Sequence, residues 1–367
     1  MIIGIPKECK NNEFRVGLMP QHVDELSLIH KVIVHEDAGL GAGLTNEDYI
    51  NSGATIVPNM EDIYEQAELI VKVKEPLPQE YLLIKPHHTL FTFFHFAASL
   101  SLTEAMLKSQ ATCIAYETIE DKSGALPLLA PMSEVAGRLA AQQAAKYLEK
   151  PQGGSGILVG GVSGVAPAKV LVLGGGVVGT NAADVLVGMG ANVTICDVNE
   201  SRLKALEEIF DGKVETILAS KESIAAKLHI IDAVIGAVLV KGAKAPKLIT
   251  RKMLSLLKPH SVLVDVAVDQ GGCFETTKPT THENPAYYVD DILHYAVANM
   301  PGAVPQTSTQ ALSNRTFPYV MKLINKSIKE LPMEIRKGVN MYQGKLTNRE
   351  VADAFKLPYS NLSTILV

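Results

Sequence analysis

The stretch Lys169-Val-Leu-Val-Leu-Gly-Gly-Gly-Val-Val-Gly179, which continues to Cys196-Asp197, decides the fold of this chain. Residues 170–173 form a short apolar run, a pattern typical of a parallel strand that is buried on both faces. Gly174, Gly176 and Gly179 follow this run with the spacing G-x-G-x-x-G. At a turn from strand to helix, this spacing permits a tight turn, close approach of a pyrophosphate to the backbone, and close packing of helix on strand.

The residues after the glycines complete a strand–helix–strand pattern. Residues 181–189 repeat apolar side chains at helical spacing, and Gly190 is expected to end that helix. Residues 193–196 are a second apolar strand that ends at Asp197, the position of a ribose-binding acid. The pattern predicts a dinucleotide site; the alternative is a glycine-rich turn that binds nothing. Asp197 favours NAD over NADP because a carboxylate repels a 2′-phosphate, although Arg202 nearby would attract one.

Length and charge limit the class of protein. A chain of 367 residues exceeds the usual size of one domain, so two domains are expected. The 47% hydrophobic and 20% charged residues are typical of a globular protein with a large core. A formal net charge of −5, with no run rich in lysine or arginine, argues against a nucleic-acid partner.

The cysteines and the apolar segments predict the compartment. Cys9, Cys113, Cys196 and Cys273 are scattered along the chain and form no C-x-x-C pair, a usage typical of a reducing compartment. The chain opens on a strand pattern instead of a signal peptide, and proline and glycine interrupt its longest weakly polar stretch, 157–179. We therefore expect a cytoplasmic protein with no membrane span and no metal site.

Strand patterns alternate with helical patterns along most of the chain. The predicted strands, besides the two already described, are 2–5, 31–34, 68–74, 89–96, 112–116, 214–218, 230–236, 261–268 and 295–298. This alternation predicts a doubly wound sheet of about six strands around the glycine motif. From Gln306 onward the pattern predicts a long helix, with a kink expected at Pro318. A short helix capped by Thr347 and Glu350 follows, and both helices are expected to pack on the N-terminal region.

Four polar residues lie in or directly after predicted strands, towards their C-terminal ends, and each has two interpretations. Strand 68–74 places Lys72 and Lys74 on one face, and spacing alone does not separate a ligand-binding lysine from a solvated one. His95 lies among four phenylalanines, so it is either a satisfied core residue or a catalytic group. Asp269 precedes two glycines and is either a turn residue or an acid at the ligand-binding edge of the sheet.

Segments along the whole chain also match one enzyme family. They are Ile3-Gly-Ile-Pro-Lys-Glu, Asn11-Asn-Glu-Phe-Arg-Val, Val71-Lys-Val-Lys-Glu-Pro, Phe94-His-Phe-Ala-Ala, Ala130-Pro-Met-Ser-Glu-Val-Ala-Gly, Gly161-Val-Ser-Gly-Val-Ala-Pro-Ala-Lys, Ile235-Gly-Ala-Val-Leu-Val, Asp265-Val-Ala-Val-Asp-Gln-Gly-Gly and Val304-Pro-Gln-Thr-Ser-Thr. With these segments the chain resembles the alanine dehydrogenases over nearly its full length. Together they are far more specific than the glycine motif alone.

The resemblance implies an α/β fold with two domains. A doubly wound Rossmann NAD-binding domain, residues 131–305, is inserted into a discontinuous α/β substrate domain. The substrate domain is made of residues 1–130 and of the C-terminal helices, residues 306–367. The family also implies a homohexamer, with the alanine-rich helix from Ser133 as a candidate for subunit contacts.

The resemblance also implies site residues. The family's catalytic residues fall on His95 and Asp269, and its substrate-binding residues fall on Arg15 and Lys74. Its cofactor contacts fall on Ser133, Gly174, Gly176, Val177, Val178, Gly179, Asp197, Arg202, Ser220, Val238, Leu239, Val266, Ala267, Val268, Asp269, Lys278, Ala298, Asn299 and Met300. At one of these positions, Lys278, family members often have arginine.

The implied reaction is the reversible conversion of L-alanine, NAD and water to pyruvate, ammonium and NADH. Arg15 offers a planar fork that matches a carboxylate, and Lys74 offers a second positive charge. A histidine side chain titrates near neutral pH and suits the proton transfers as an imine is hydrated and the carbinolamine collapses, which is the role expected of His95. Asp269 would hold the ammonium group or face the developing positive charge.

Three other functions remain open to the sequence. The nearest is the cofactor-binding portion of a proton-pumping transhydrogenase, which usually works beside membrane-spanning segments. A saccharopine-forming dehydrogenase is a more distant alternative that would need a larger cleft. The third is a non-catalytic NAD-binding regulator, against which the presence of Arg15, Lys74, His95 and Asp269 speaks.

Overall fold

The computed structural model describes residues 1–238 and 245–366, which form two compact units. Unit 1 contains residues 1–132 and 304–366, and unit 2 contains residues 133–303 with the exception of 239–244. Each unit is built on its own mostly parallel sheet. The predicted α/β class, with a doubly wound unit inserted into a discontinuous one, is confirmed.

The first segment of unit 1 alternates strands and helices. Its strands are β1 (Ile2–Ile5), β2 (Lys31–His35), β3 (Thr55–Val57), β4 (Leu69–Val71), β5 (Thr89–Thr92) and β6 (Thr112–Ala115). Its helices are α1 (Pro20–Ser27), α2 (Asn46–Asn51), α3 (Met60–Gln66) and α4 (Leu100–Ser109), and α5 (Ala130–Tyr147) leads into unit 2. Helix α2 begins with a capping box, in which Thr45 and Asp48 bond each other's backbone N–H groups.

Unit 2 has the strand order β12-β13-β11-β10-β7-β8-β9. Its elements are β7 (Lys169–Leu173), α6 (Val177–Gly188), β8 (Asn192–Asp197), α7 (Glu200–Phe210), β9 (Val214–Leu218), α8 (Lys221–Leu228), β10 (Ala233–Gly236), β11 (Val262–Asp265), β12 (Ala286–Val289) and β13 (Ile292–Tyr295). All pairs are parallel except β12 with β13, at the edge. Strands β8 and β9 are added on one side of β7, and β10 and β11 on the other, so the strand order reverses at β7. The glycine turn after β7 therefore lies at the topological switch point, where such sheets bind ligands.

The last segment of the chain returns to unit 1. It contains α9 (Pro305–Leu323), α10 (Met333–Gly338), β14 (Val339–Tyr342), β15 (Lys345–Leu346), α11 (Arg349–Phe355) and α12 (Leu362–Ile365). The sheet of unit 1 has the order β15-β14-β6-β5-β4-β1-β2-β3, and β14 runs antiparallel to both β6 and β15. The expected packing of this segment on the N-terminal region is therefore present, and it includes two added strands.

The last segment differs from the sequence-based expectation in two details. The hairpin β14–β15 was not predicted, because its strands are short and only the left-handed pair Gln343-Gly344 marks the turn between them. The cap of α11 is Asn348, whose side chain accepts from Val351 N at 3.0 Å. Thr347 instead donates its hydroxyl to Val339 O at 2.8 Å, which ties α11 to β14.

Helix α5 shows how alanine and glycine permit close packing in unit 2. Its alanines at 136, 140 and 144 are buried. A Cβ atom added to Gly137 would lie 2.2 Å from Val178 O, so α5 and α6 touch through their backbones at this point. None of the helices in the part of the chain that the structure describes has the length and apolar character needed to cross a bilayer.

Candidate active site

The glycine turn has the geometry of a pyrophosphate cradle. Gly174 adopts φ +102°, a region that disfavours other residues. A Cβ on Gly179 would lie 1.8 Å from Gly174 O, so only glycine lets α6 begin this close to β7. The Cβ position of Gly176, in contrast, faces open space at the N-terminus of the 12-residue helix α6. The turn therefore fits a phosphate group held by the free N–H groups of a helix N-terminus.

Asp197 and Arg202 both contact the glycine turn. Asp197 ends β8, and its Oδ2 accepts from Gly175 N at 2.7 Å. Arg202 donates from Nε to Gly175 O at 2.7 Å and from Nη2 to Thr180 Oγ1 at 2.8 Å. Asp197, which favours NAD, and Arg202, which would attract the 2′-phosphate of NADP, thus contact the same turn. Both lie beside the expected position of the adenosine ribose.

The other cofactor candidates of unit 2 lie mainly at one edge of the sheet. Ser220 follows β9 and caps α8, Val238 follows β10, residues 266–269 follow β11, and residues 298–300 follow β13. These strands are parallel to β7 and β8, so their carboxyl ends meet at the edge that carries the glycine turn. Ser133 in α5 and the exposed Lys278 follow no strand directly, and Leu239 lies outside the described residues.

Asp269 lies in the connection that leaves β11. It is exposed on a single 3₁₀ turn, Val268–Gln270, and its Oδ2 accepts from Asn299 N at 3.4 Å. This long hydrogen bond joins the exits of β11 and β13, two segments that contain cofactor candidates. Asp269 therefore lies in a turn and also at the edge of the sheet where the carboxyl ends of the parallel strands meet.

In unit 1, Arg15 is held by the carboxylate of Glu13, which is not among the residues predicted from the sequence. Glu13 accepts from Arg15 Nε at 2.6 Å through Oε1 and pairs with Nη2 through Oε2, and both side chains are buried. Arg15 Nη1 points to Met132 Sδ at 3.0 Å. A bidentate pair of this kind fixes the plane of the guanidinium, so Glu13 orients the group expected to bind substrate. The only sequence signal is its place two residues before Arg15.

The structure separates the two lysines that strand spacing could not. Strand β4 ends at Val71, three residues earlier than predicted, and the backbone then bends. Lys72 Nζ lies 2.9 Å from Glu80 Oε1 and 3.4 Å from Glu8 Oε2, and its side chain is 1% exposed. Burial alone would lower the pKa of Lys72, but the two carboxylates outweigh it and hold the pKa above its usual value. Lys72 is therefore part of a buried ion-pair cluster.

Lys74 has a different environment. It is also buried, but among the described residues no carboxylate lies within ion-pair distance of its Nζ. Burial lowers the pKa of Lys74, and the positive charge of Arg15 lowers it further. Glu8 Oε1 accepts from the backbone N–H of Lys74 at 3.3 Å and of Val73 at 2.6 Å, which fixes the bend that carries the lysine. Among these residues the Lys74 ammonium is thus not in an ion pair, and it lies in the electrostatic field of Arg15.

His95 is an exposed residue on a constrained backbone. Strand β5 ends at Thr92, and His95 adopts φ +51°, in the left-handed region. Glu117 Oε1 accepts from His95 N at 2.6 Å and from Phe94 N at 3.1 Å. The neighbouring phenylalanines at 91, 93, 94 and 96 are buried, while the imidazole is exposed, so the core interpretation of His95 is excluded. Because β4 and β5 are adjacent and parallel, Lys74 and His95 leave the same edge of the sheet.

Comparison with known proteins agrees with this geometry. The family models "Alanine dehydrogenase/PNT, N-terminal domain" and "Alanine dehydrogenase/PNT, C-terminal domain" match residues 4–136 and 140–349. The chain is 52% identical to the alanine dehydrogenase of Halomonas elongata, with 100% of both chains covered. It is 49% identical to that of Methanococcus maripaludis, with 98% of both chains covered, and 48% identical to that of Mycolicibacterium smegmatis, with 100% of both covered.

Solved structures show the same relationship. A structure of an L-alanine dehydrogenase superimposes with a TM-score of 0.94 at 49% identity, covering 97% of this chain and 99% of that one. A transhydrogenase from Sinorhizobium meliloti superimposes with a TM-score of 0.83 at 23% identity, covering 95% and 100%, and shares the fold. The resemblance drawn from the sequence motifs is confirmed: the chain belongs to the alanine dehydrogenase/PNT family.

Proposed function

We propose that this chain is an L-alanine dehydrogenase, an NAD-dependent enzyme that interconverts L-alanine and pyruvate plus ammonium. The relatives that carry this name match the chain from end to end. The observation that carries the proposal is the buried pair of cations in unit 1. Arg15 is oriented by Glu13, and Lys74 has no carboxylate within ion-pair distance among the described residues. Two adjacent buried cations of this kind are suited to a small carboxylate substrate.

The four proposed site residues have three roles: substrate binding, proton transfer and stabilisation of charge. Arg15 and Lys74 bind the carboxylate and the oxygen of pyruvate. His95, exposed and held by its backbone, accepts and returns the proton as water or ammonia adds to the substrate carbon. Asp269 faces the substrate nitrogen and stabilises its positive charge.

The cofactor site is proposed for unit 2. The open space at Gly176 and the carboxylate of Asp197 fit a pyrophosphate and a ribose, respectively. When bound, NAD supplies the acceptor for the hydride that leaves the α-carbon. The protein's own part is to hold the substrate in orientation and to move protons. The remaining predicted cofactor contacts, from Ser133 to Met300, are part of this proposal.

The proposal is tested by following NADH oxidation with the purified chain. Pyruvate and ammonium added together are expected to accelerate it, whereas either one alone is not. L-alanine with NAD should produce NADH, and D-alanine serves as the control. An unchanged rate of NADH oxidation when pyruvate and ammonium are added together would contradict the proposal. Hydride exchange between NADH and an oxidised NADP analogue would instead indicate a transhydrogenase, and a reaction requiring lysine with 2-oxoglutarate would indicate a saccharopine-forming enzyme.

Asp197→Ala is expected to relax the preference for NAD over NADP by about tenfold or more, since removing one charge repulsion is worth at least ~1.4 kcal/mol. Arg202, which already lies on the glycine turn, would then meet the 2′-phosphate. The measurement is the ratio of kcat/KM for the two cofactors. Asp184→Ala is the control, because Asp184 is exposed and pairs with Arg138 on the surface of unit 2. An unchanged ratio in Asp197→Ala would assign the preference to another group.

Two further properties stay predictions. The homohexamer is implied by the family resemblance, and the cytoplasmic location by the scattered cysteines, of which Cys113, Cys196 and Cys273 are free and buried. Sedimentation of the purified chain would test the first of these, and cell fractionation would test the second.

A further inference from the structure

One buried carboxylate holds both ends of the connection that carries Asp269. We call residues 266–274 the Asp269 loop. Asp265 ends β11 and is 1% exposed. Its Oδ1 accepts from Ala267 N at 3.1 Å, before Asp269, and its Oδ2 accepts from Cys273 N at 2.9 Å, after Asp269. Phe274 N, at 3.4 Å, and the Thr277 hydroxyl also donate to Oδ2.

The carbonyl groups of the same loop converge on a lysine. Lys247 Nζ donates to Gly272 O and Phe274 O, both at 3.0 Å, and also to Gly271 O. The N–H groups of the Asp269 loop thus meet an anion while its carbonyls meet a cation. Gly272 adopts φ +78°, and a Cβ there would lie 2.6 Å from Asp265 Oδ2, so the loop is drawn tightly onto the carboxylate.

Among the described residues, no ion pair stabilises the buried charge of Asp265. Among the described residues no lysine or arginine lies within ion-pair distance of its carboxylate, and burial raises the pKa of the Asp265 carboxyl. Burying a charge without a counter-ion is unfavourable unless hydrogen bonds replace the lost water. The four hydrogen-bond donors that replace this water all belong to Thr277 and the Asp269 loop. The free-energy cost of burying the charge is therefore offset only when the loop keeps this shape.

We propose that Asp265 is a positioning residue for Asp269, holding the loop so that the exposed carboxylate meets the substrate nitrogen. The proposal rests on the function proposed above, which places Asp269 at the reacting centre. A displacement of about 1 Å in a catalytic group can lower a rate by roughly 10²-fold. The contact between Asp269 and Asn299 is long, so it holds Asp269 less firmly than the bonds to Asp265 hold the loop.

Asp265→Asn is the test variant. An amide has one oxygen, so one end of the loop must face an NH₂ group in place of an acceptor. We expect kcat for pyruvate amination to fall by about 10- to 100-fold at saturating substrates. Asp232→Asn is the control: Asp232 is also buried and accepts from Lys169 N at 2.8 Å, but it pairs with Lys258 at 2.7 Å and precedes β10 at the opposite edge of the sheet. It should lower the melting temperature and leave kcat within about twofold.

A double-mutant cycle separates positioning from general loosening. If Asp265 acts through Asp269, then Asp265→Asn should lower kcat by less than about threefold in an Asp269→Asn background. An equal loss in both backgrounds, or a normal kcat in the single variant, would overturn the proposal. A normal kcat in Asp269→Asn alone would instead contradict the role of Asp269 in the proposed function.

A second variant covers the case in which Asp265→Asn does not fold. Thr277→Val removes one hydroxyl donor from Asp265 and keeps the side-chain shape. We expect a loss in kcat of roughly two- to fivefold that disappears in the Asp269→Asn background. A folded Thr277→Val variant with unchanged kcat would contradict the proposal, and so would a loss that persists without Asp269.

Discussion

Replacing His95 with asparagine is expected to lower kcat by roughly 10²- to 10⁴-fold, the usual loss when a general acid–base group is removed. Asparagine is the preferred substitution because His95 adopts φ +51°, a conformation that asparagine tolerates better than alanine does. The bonds from residues 94 and 95 to Glu117 use only backbone N–H groups, so they are retained. The variant should therefore fold normally and lack only the imidazole.

The measurement is kcat for pyruvate amination across pH, with the melting temperature as a check on folding. His87→Asn is the matched control. His87 is also exposed, but it precedes β5 while His95 follows it, so the two histidines lie towards opposite ends of one strand. The control should keep kcat within about twofold. Near-normal turnover in His95→Asn would remove His95 from the mechanism.

Arg15→Lys is expected to lower kcat/KM for pyruvate by about 30-fold or more, since loss of a buried charged contact costs on the order of 2–5 kcal/mol. Lysine keeps the positive charge beside Glu13, so no buried carboxylate is left alone. It loses the planar guanidinium. Only that group can pair with Glu13 through Nε and Nη2 and still leave Nη1 pointing away from Glu13. The KM for NADH should change by less than about threefold, because Arg15 belongs to unit 1.

Arg138→Lys provides the matched control for this substitution. Arg138 pairs with Asp184 at 3.0 Å, but both side chains are more than half exposed. Exposed pairs of this kind contribute at most about 1 kcal/mol, so all kinetic constants should stay within about twofold. A variant Arg15→Lys in which the KM values for NADH and pyruvate rise equally would show that Arg15 does not recognise the carboxylate specifically.

The local features of the nucleotide-binding unit were predictable. Strand β7, the glycine turn, helix α6 and strand β8 all lie where apolar periodicity and glycine spacing place them. The capping box at Thr45 and Asp48 was predictable for the same reason. Each of these features depends on residues that are close in sequence, so the pattern carries the necessary information.

The carboxylates that orient the site were not predictable in the same way. No local pattern assigns a partner to Glu8, Glu117 or Asp265, and the first two bind backbone groups 65 and 22 residues away. Asp265 joins the two ends of a loop, an arrangement that no periodicity expresses. Even the buried pair of Glu13 and Arg15, only two residues apart, required the structure to show that both side chains face inward.

The amino-acid sequence alone determined the class of fold, the cofactor turn and the family, because strand and helix patterns and motif spacing are local properties of the chain. The tertiary structure decided that Lys72 is neutralised by Glu8 and Glu80 while Lys74 is not, and that His95 is exposed beside buried phenylalanines. It also decided that the last segment adds two strands to the sheet of unit 1. Burial, ion pairing and strand partners depend on which distant residues come into contact, and that is settled only when the chain has folded.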